Sequence, residues 1–169
     1  MKLGKRIWII GVSGSGKSTL TKKLSMKLNI PFTELDGVFW QKNWVKMDVD
    51  SFREHVKVIA SKDSWIIDGQ YANIHNILKH QATTIIWLDF KLRITFFRVL
   101  KRTFLRWIKK EVLWNQNKEE FLKSLDLFMY SIRNHSTVKS QNERLFKELQ
   151  GERSVTCIRI TTIEELDGL

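Results

Sequence analysis

The sequence predicts an α/β domain built on a five-stranded parallel sheet, and three observations carry that expectation. Short apolar runs, such as Ile7-Trp8-Ile9-Ile10, Trp65-Ile66-Ile67 and Thr83-Thr84-Ile85-Ile86-Trp87-Leu88, alternate with stretches whose apolar residues recur every three or four positions. The runs are continuous rather than alternating with polar residues, as strands covered by helices on both faces require. The 169 residues contain one proline and no repeat, low-complexity segment or Pro/Gly-rich linker, so residues 1–169 form a single three-layer domain.

Between the first strand and the first helix lies Gly11-Val12-Ser13-Gly14-Ser15-Gly16-Lys17-Ser18, which fits the pattern G-x-x-x-x-G-K-[ST] of a P-loop. Glycines let backbone N–H groups turn inward around a polyphosphate, Lys17 reaches the β and γ phosphates, and the Ser18 hydroxyl ligates Mg²⁺. Gly11, Ser13, Gly14, Ser15, Gly16, Lys17, Ser18 and Thr19 are therefore the expected ATP-binding set. Leu20, Leu24 and Leu28 recur along the helix that follows, from about Lys17 to near Asn29; Asn29 and Pro31 end it. Right-handed crossovers bring the loop to the carboxyl edge of the sheet.

Phe32-Thr33-Glu34-Leu35 reads as a second strand ending on Asp36-Gly37, a carboxylate at the edge where ligands bind in open α/β sheets. The aromatic segment from Leu35 to Trp44 has little periodicity. It is either a hydrophobic plug over the sheet or an acceptor pocket, in which Asp36 orients or deprotonates a substrate and Trp40 or Trp44 forms an apolar wall. A helix from Asp50 or Ser51 to around Lys62 is expected from the capping-box pair Ser51 and Glu54 and from Phe52, Val56 and Ile59 on one face. The third strand closes on Asp68-Gly69. Asp68 either holds Mg²⁺ as a Walker-B-type carboxylate or caps the next turn, and Gly69 allows close backbone approach to a substrate.

Asp89, after the fourth strand, is expected to cap a long helix from about Lys91 to Val112. That helix carries Arg98, Arg102 and Arg106 at four-residue spacing, with Phe97, Leu100, Phe104 and Ile108 over much of the remainder. It is either core-packed with a solvated charged stripe, or it turns Arg98 and Arg102 into the site to neutralise triphosphate charge. One or two more helices fill residues 117 to 150, with Phe121, Leu125, Phe128 and Ile132 in register, and an excursion over about 98–135 is read as a helical lid. Ser154 to Ile160 gives a fifth strand. A last short helix, Thr162 to Leu166, opens with the capping box Thr162 and Glu165.

Composition narrows the function classes. One cysteine, Cys157, rules out an intrachain disulfide framework, and a cytoplasmic setting is expected. Arginines and lysines interrupt the apolar stretch from Leu92 to Trp114 too often for a membrane span. The four histidines lack metal-ligand spacing. A net charge of +11 calls for anionic partners, which nucleotide phosphates, nucleic acid or an acidic membrane surface would each satisfy. Neither an N/TKxD nor a DxxG pattern occurs, which excludes a GTPase and leaves the small-kinase type of P-loop protein.

The P-loop, Leu35-Asp36-x-x-Phe39-Trp40 with Trp44, Trp65-Ile66-Ile67-Asp68-Gly69-x-Tyr71 and Arg98-Val99-Leu100-Lys101-Arg102 together resemble the adenylate-kinase-related DNA topology modulation proteins. The resemblance covers most of the chain to about residue 106. It implies a nucleoside-monophosphate-kinase-like P-loop fold using ATP, and it makes Arg98 and Arg102 similar to the arginine pair that starts the lid of adenylate kinases. One departure stands out: where adenylate kinases place an arginine soon after the Asp-Gly pair, this chain has Ala72 and Asn73, so an acceptor-phosphate anchor is missing or supplied by Arg53 or Arg133. The expected activity is γ-phosphoryl transfer from ATP to a small acceptor, such as a nucleotide or nucleoside, with Lys17, Asp36, Arg98 and Arg102 catalytic and Ser18 and Asp68 on the metal. The alternatives are a nucleic-acid-associated ATP-binding regulator and a degenerate kinase that only binds ATP.

Overall fold

The computed structural model describes residues 3–109, 111–117, 129, 132–149 and 154–168. Five strands, β1 (Arg6–Gly11), β2 (Phe32–Glu34), β3 (Trp65–Asp68), β4 (Thr84–Leu88) and β5 (Thr156–Ile160), form one sheet. Its order is β2-β3-β1-β4-β5 and every pairing is parallel. Ile9 lies beside Asp68 on one flank of β1, and Gly11 beside Leu88 on the other. The ends of β1, β2 and β3 thus share one edge, with the start of the P-loop at its centre.

Two apolar layers explain why the central runs are continuous. On one face Trp8, Ile10, Phe52, Trp65, Ile67, Leu78, Ile85 and Trp87 pack beneath α3 (Val49–Ala60), α4 (His75–Gln81) and α6 (His135–Leu149). On the other, Ile7, Ile9, Ile66, Ile86 and Leu88 pack against Leu20 and Leu24 of α1 (Lys17–Leu28). Neighbouring residues of β1 serve opposite layers, so truncating either Trp8 or Ile9 opens a cavity at a cost of about 2–5 kcal/mol. The indole of Trp8 also donates to the Gly69 carbonyl at 2.9 Å, fastening the turn after β3 to the centre of the sheet.

Several local expectations give way to longer-range partners. Leu35 to Phe39 form a short helix, α2, so β2 ends at Glu34 and Asp36 sits one residue into a helical turn. The cap of α3 is Asp48, whose carboxylate accepts the Ser51 N–H, rather than Ser51 itself. Asp89 does not cap α5 (Leu92–Lys109); its carboxylate receives Arg159 of β5, at 3.0 Å from Nε, and Lys139 at 3.3 Å. Two cations outcompete a helix end for one buried carboxylate. Asn29 adopts the left-handed conformation that ends α1, and α7 (Ile163–Asp167) carries the Thr162–Glu165 capping box. Phe121, Leu125 and Phe128, read as one helical face, lie outside the described residues.

Candidate active site

The P-loop follows directly from β1, and its glycines Gly11, Gly14 and Gly16 all take positive φ. At Gly14 the requirement is double: φ is 77°, and a Cβ there would lie 2.6 Å from both the Thr95 carbonyl oxygen and a Val99 methyl of α5. The loop is therefore clasped from outside by the helix that carries the arginines. Within it, the Lys17 ammonium donates to the carbonyl oxygens of Gly11, at 2.9 Å, and Val12, at 3.0 Å. Burial lowers the pKa of this amine, opposed by the charges of Asp68 and Asp36 and reinforced by Arg102. Asp68, Asp36 and Arg102 are thus all near enough to bear on the Lys17 charge.

Arg98 and Arg102 both turn towards the loop. Arg98 stacks over the Phe90 ring at 5.0 Å and reaches the Ser15 carbonyl at 3.4 Å, while Arg102 reaches the Ser13 hydroxyl at 3.4 Å. These contacts leave both guanidinium groups poised beside the position that loop-bound phosphates take. The core-packed reading of α5 does not hold, since its buried residues are Thr95, Val99 and Thr103 while Phe97, Leu100, Phe104 and Ile108 are exposed. Ser15 is fully buried, which confines its part in the loop to its backbone, and Thr19 is exposed on α1.

Asp68 is 4% exposed. Burial pushes its carboxyl up to about 6, with Glu34 and Asp36 adding to the rise and Lys17 and a hydrogen bond from the Ser18 side chain opposing it. The other oxygen, Oδ2, has no hydrogen-bond partner among the described residues. A hydroxyl and an unsatisfied carboxylate oxygen side by side suit Mg²⁺, which is held by one or two protein oxygens together with phosphates and water.

Across the edge from the P-loop, the acceptor side is assembled from three separate segments. Asp36 accepts the Tyr71 hydroxyl at 2.6 Å, and the Trp40 side chain hydrogen-bonds the same tyrosine. Burial first, and then the charge and hydrogen bond of Asp36, push the Tyr71 phenol well above its ordinary range. Tyr71 thus remains a hydrogen-bond donor that holds the Asp36 side chain in place. Phe39 stands 4.7 Å from the Tyr71 ring, and Trp40 meets Trp44 edge-on at 5.8 Å, so the tryptophans form a wall beside Asp36. Gly69, fully buried, meets Leu35 rather than an open space.

The third segment, residues 113–117, is one that sequence reasoning missed. The Trp114 indole donates to Glu34 at 2.7 Å, and its ring lies where a Gly37 Cβ would be, 2.7 Å from that position. Asn115 donates to the carbonyls of Gly37 and Trp40, and Asn117 bridges Gln41 and Trp44. Asn43, Trp44, Asn115 and Gln116 all adopt left-handed φ, a clustering of uncommon backbone where the two turns meet. Tyr71 closes the Trp65-Ile66-Ile67-Asp68-Gly69-x-Tyr71 motif and Glu34 ends a strand, so both carry a signal in the sequence; Trp114 and the asparagines carry none. Of the two anchors considered for an acceptor phosphate, Arg53 donates to the Asn73 carbonyl at 2.9 Å and Arg133 is exposed.

A family model described as ABC transporter matches residues 1–164. A shikimate kinase from a Sulfurihydrogenibium species is 29% identical over 110 residues, covering 56% of this chain and 66% of that protein, just under two thirds of its length. Among solved structures, a gluconokinase from Sinorhizobium meliloti superposes with a TM-score of 0.57 at 14% identity, covering 99% of this chain and 88% of the other. An uncharacterised protein from Eubacterium ventriosum gives a TM-score of 0.51 at 16% identity over 96% and 93% of the two chains. These structural likenesses establish the fold.

Proposed function

The chain belongs to the ABC transporter family of its matching model, and within that ATP-binding framework we propose that it is an ATP-dependent kinase transferring the γ-phosphoryl group to a hydroxyl of a small acceptor. The observation that carries this reading is the arrangement around Lys17: two arginines reach the P-loop from α5, and Asp36, held by Tyr71, is near enough to act on the Lys17 charge. Phosphoryl transfer demands mainly positioning and charge stabilisation, which this set supplies. No described helix is long and apolar enough to cross a membrane.

Loop N–H groups at the start of α1, without intrahelical partners, and Lys17 hold the ATP phosphates. Ser18 and Asp68 hold Mg²⁺, which supplies Lewis-acid neutralisation of phosphate charge when bound. Arg98 and Arg102 oppose the charge that builds on the transferred group, and Asp36 orients the acceptor hydroxyl and takes its proton. A phosphate acceptor would need cations instead, yet Arg53 is engaged with the backbone of Asn73. The names of the curated relative and of the gluconokinase point to hydroxyl-bearing acceptors, and this reading extends to a small polyol or the sugar of a nucleoside or nucleotide.

The setting we infer is cytoplasmic, where ATP and Mg²⁺ are abundant. We also propose the narrower kinship with DNA topology modulation proteins; its more specific motifs, Leu35 to Trp40 and Trp65 to Tyr71, are linked by the Tyr71–Asp36 hydrogen bond, which supports reading them as one acceptor side. A nucleic-acid partner, the second reading, draws on the net charge of +11, from which Arg98 and Arg102 are withdrawn into the site. Steeply salt-dependent binding of duplex DNA would favour it.

The direct test is ADP release across a panel of polyols, nucleosides and nucleotides, followed by Asp36→Asn with whichever acceptor responds. The substitution keeps an acceptor oxygen for Tyr71 but removes the base, so transfer should fall by about 10²-fold or more with ATP binding retained. Near-normal transfer by the variant removes Asp36 from the chemistry. Bound ATP without turnover on any acceptor supports an ATP-binding protein that has lost transfer.

A further inference from the structure

The outward face of α5 is built the wrong way round for a helix in water. Its inward face carries Thr95, Arg98, Val99, Thr103 and Arg106, because there it must meet the P-loop and its phosphates. The bulky residues are left on the opposite side: Phe97 is 66% exposed, Phe104 51% and Ile108 55%, with Leu100 also exposed. Isolated exposed apolar residues are ordinary, but a contiguous stripe over the length of a helix marks an interaction surface. Arg93 and Lys101 stand exposed on the same face. From Lys91 to Lys110 the sequence contains eight lysines and arginines and no aspartate or glutamate.

We propose that this face of α5 docks the protein on an anionic lipid surface, with Phe97, Leu100, Phe104 and Ile108 entering the interface and Arg93 and Lys101 lying among the headgroups. Charge complementarity decides between occupants. A second copy of the helix would set like charges against one another with no acidic residue to relieve them. Nucleic acid would satisfy the cations but leave Leu100 and Ile108 without a role, since aliphatic side chains find little to bind on a phosphate backbone. A bilayer surface with acidic headgroups satisfies both halves of the pattern: aromatic and aliphatic residues on one side, basic residues beside them, and no stretch apolar enough to span. The P-loop lies against the other side of α5, so docking leaves the ATP site open to solution. The proposal is independent of which acceptor the kinase reading requires.

The test is co-sedimentation of the full chain with phosphatidylglycerol-containing vesicles and with pure phosphatidylcholine vesicles. Binding is expected only to the anionic vesicles and should weaken as salt is raised. The double variant Phe104→Ser/Ile108→Ser, neither residue being in the ATP site, should bind roughly tenfold more weakly or worse. Lys101→Glu should also weaken binding. Retention of the ATP-induced rise in melting temperature by these variants establishes that they are folded, and separates failure here from failure of the kinase reading. Wild-type protein remaining in the supernatant, or the double variant sedimenting equally, overturns the proposal. So does a concentration-dependent dimer that the double variant abolishes, or duplex DNA displacing the vesicles from a site insensitive to Phe104→Ser/Ile108→Ser.

Discussion

The phosphate side and the acceptor side of the site share one sheet edge but are held together differently. The phosphate side is local: eight consecutive residues and one turn of α1 make the loop, and a four-residue spacing on one helix delivers both arginines. The acceptor side is a composite of residues 34–44, 69–73 and 113–117, joined by single hydrogen bonds such as Tyr71 to Asp36 and Trp114 to Glu34. Anchoring a triphosphate is a general task, met by backbone N–H groups in a contiguous loop. Selecting one acceptor is a particular task, and in the proposed reading it falls to segments brought together only by folding.

If the phosphate side works as a unit, removing both arginines gives the largest effect. Arg98→Ala/Arg102→Ala should cut kcat by about 10³-fold, as when an arginine supplied to a phosphoryl-transfer site is removed, while the Kd for ATP changes by much less. Each side chain touches the loop at 3.4 Å, so ground-state binding depends little on them. Single-turnover kinetics with equilibrium ATP binding separates the two quantities. Equal, small losses in both would return α5 to the role of a scaffold with a charged stripe.

Asp68 lies where the two sides meet, and its titration offers the next largest effect. Its ordinary value of 3.8 is raised to about 6, so between those values the folded protein keeps a proton that the unfolded chain has released. Stability without metal or nucleotide should therefore fall as pH rises through that window, by about 3 kcal/mol from this group alone. Mg²⁺ needs the ionised carboxylate, so stabilisation by Mg²⁺ with ATP should grow through about pH 6 in the opposite sense. Asp68→Asn should flatten both trends in thermal melts at pH 5, 6 and 7. Parallel pH profiles for the wild type and the variant would assign the dependence to other groups.

The same division explains what was legible in the sequence. Strands β1, β3 and β4 were readable because burial on both faces leaves a continuous apolar run, and the P-loop because its chemistry fixes residue types at fixed spacing. Asp89 misled because its local option, capping α5, lost to Arg159, 70 residues away. The orientation of α5 was ambiguous, since an apolar stripe ordinarily marks the core side. Arg98 and Arg102 settle the matter physically: once they face the loop, Phe97, Phe104 and Ile108 must face away. Trp114 left no trace in local pattern because its partner, Glu34, is 80 residues distant.

Trp114 gives the smallest expected effect and the sharpest test of the division. Trp114→Phe keeps a ring over Gly37 but removes the N–H that Glu34 receives at 2.7 Å, leaving that carboxylate the ion pair with Lys22 at 3.5 Å. An unsatisfied, half-buried acceptor costs about 1–3 kcal/mol, part of which appears as lowered stability. The remainder should loosen residues 34–44, because Asn115 and Asn117 hold the carbonyls of Gly37, Trp40 and Gln41 from the same short turn. Asp36 and Trp40 belong to that stretch, so the acceptor KM should rise several-fold with the Kd for ATP unchanged. Asn115→Ala should act in the same direction without touching Glu34. A rise in the ATP Kd matching that in the acceptor KM would mean that the turn supports the whole edge, and the two sides would then be one mechanical unit.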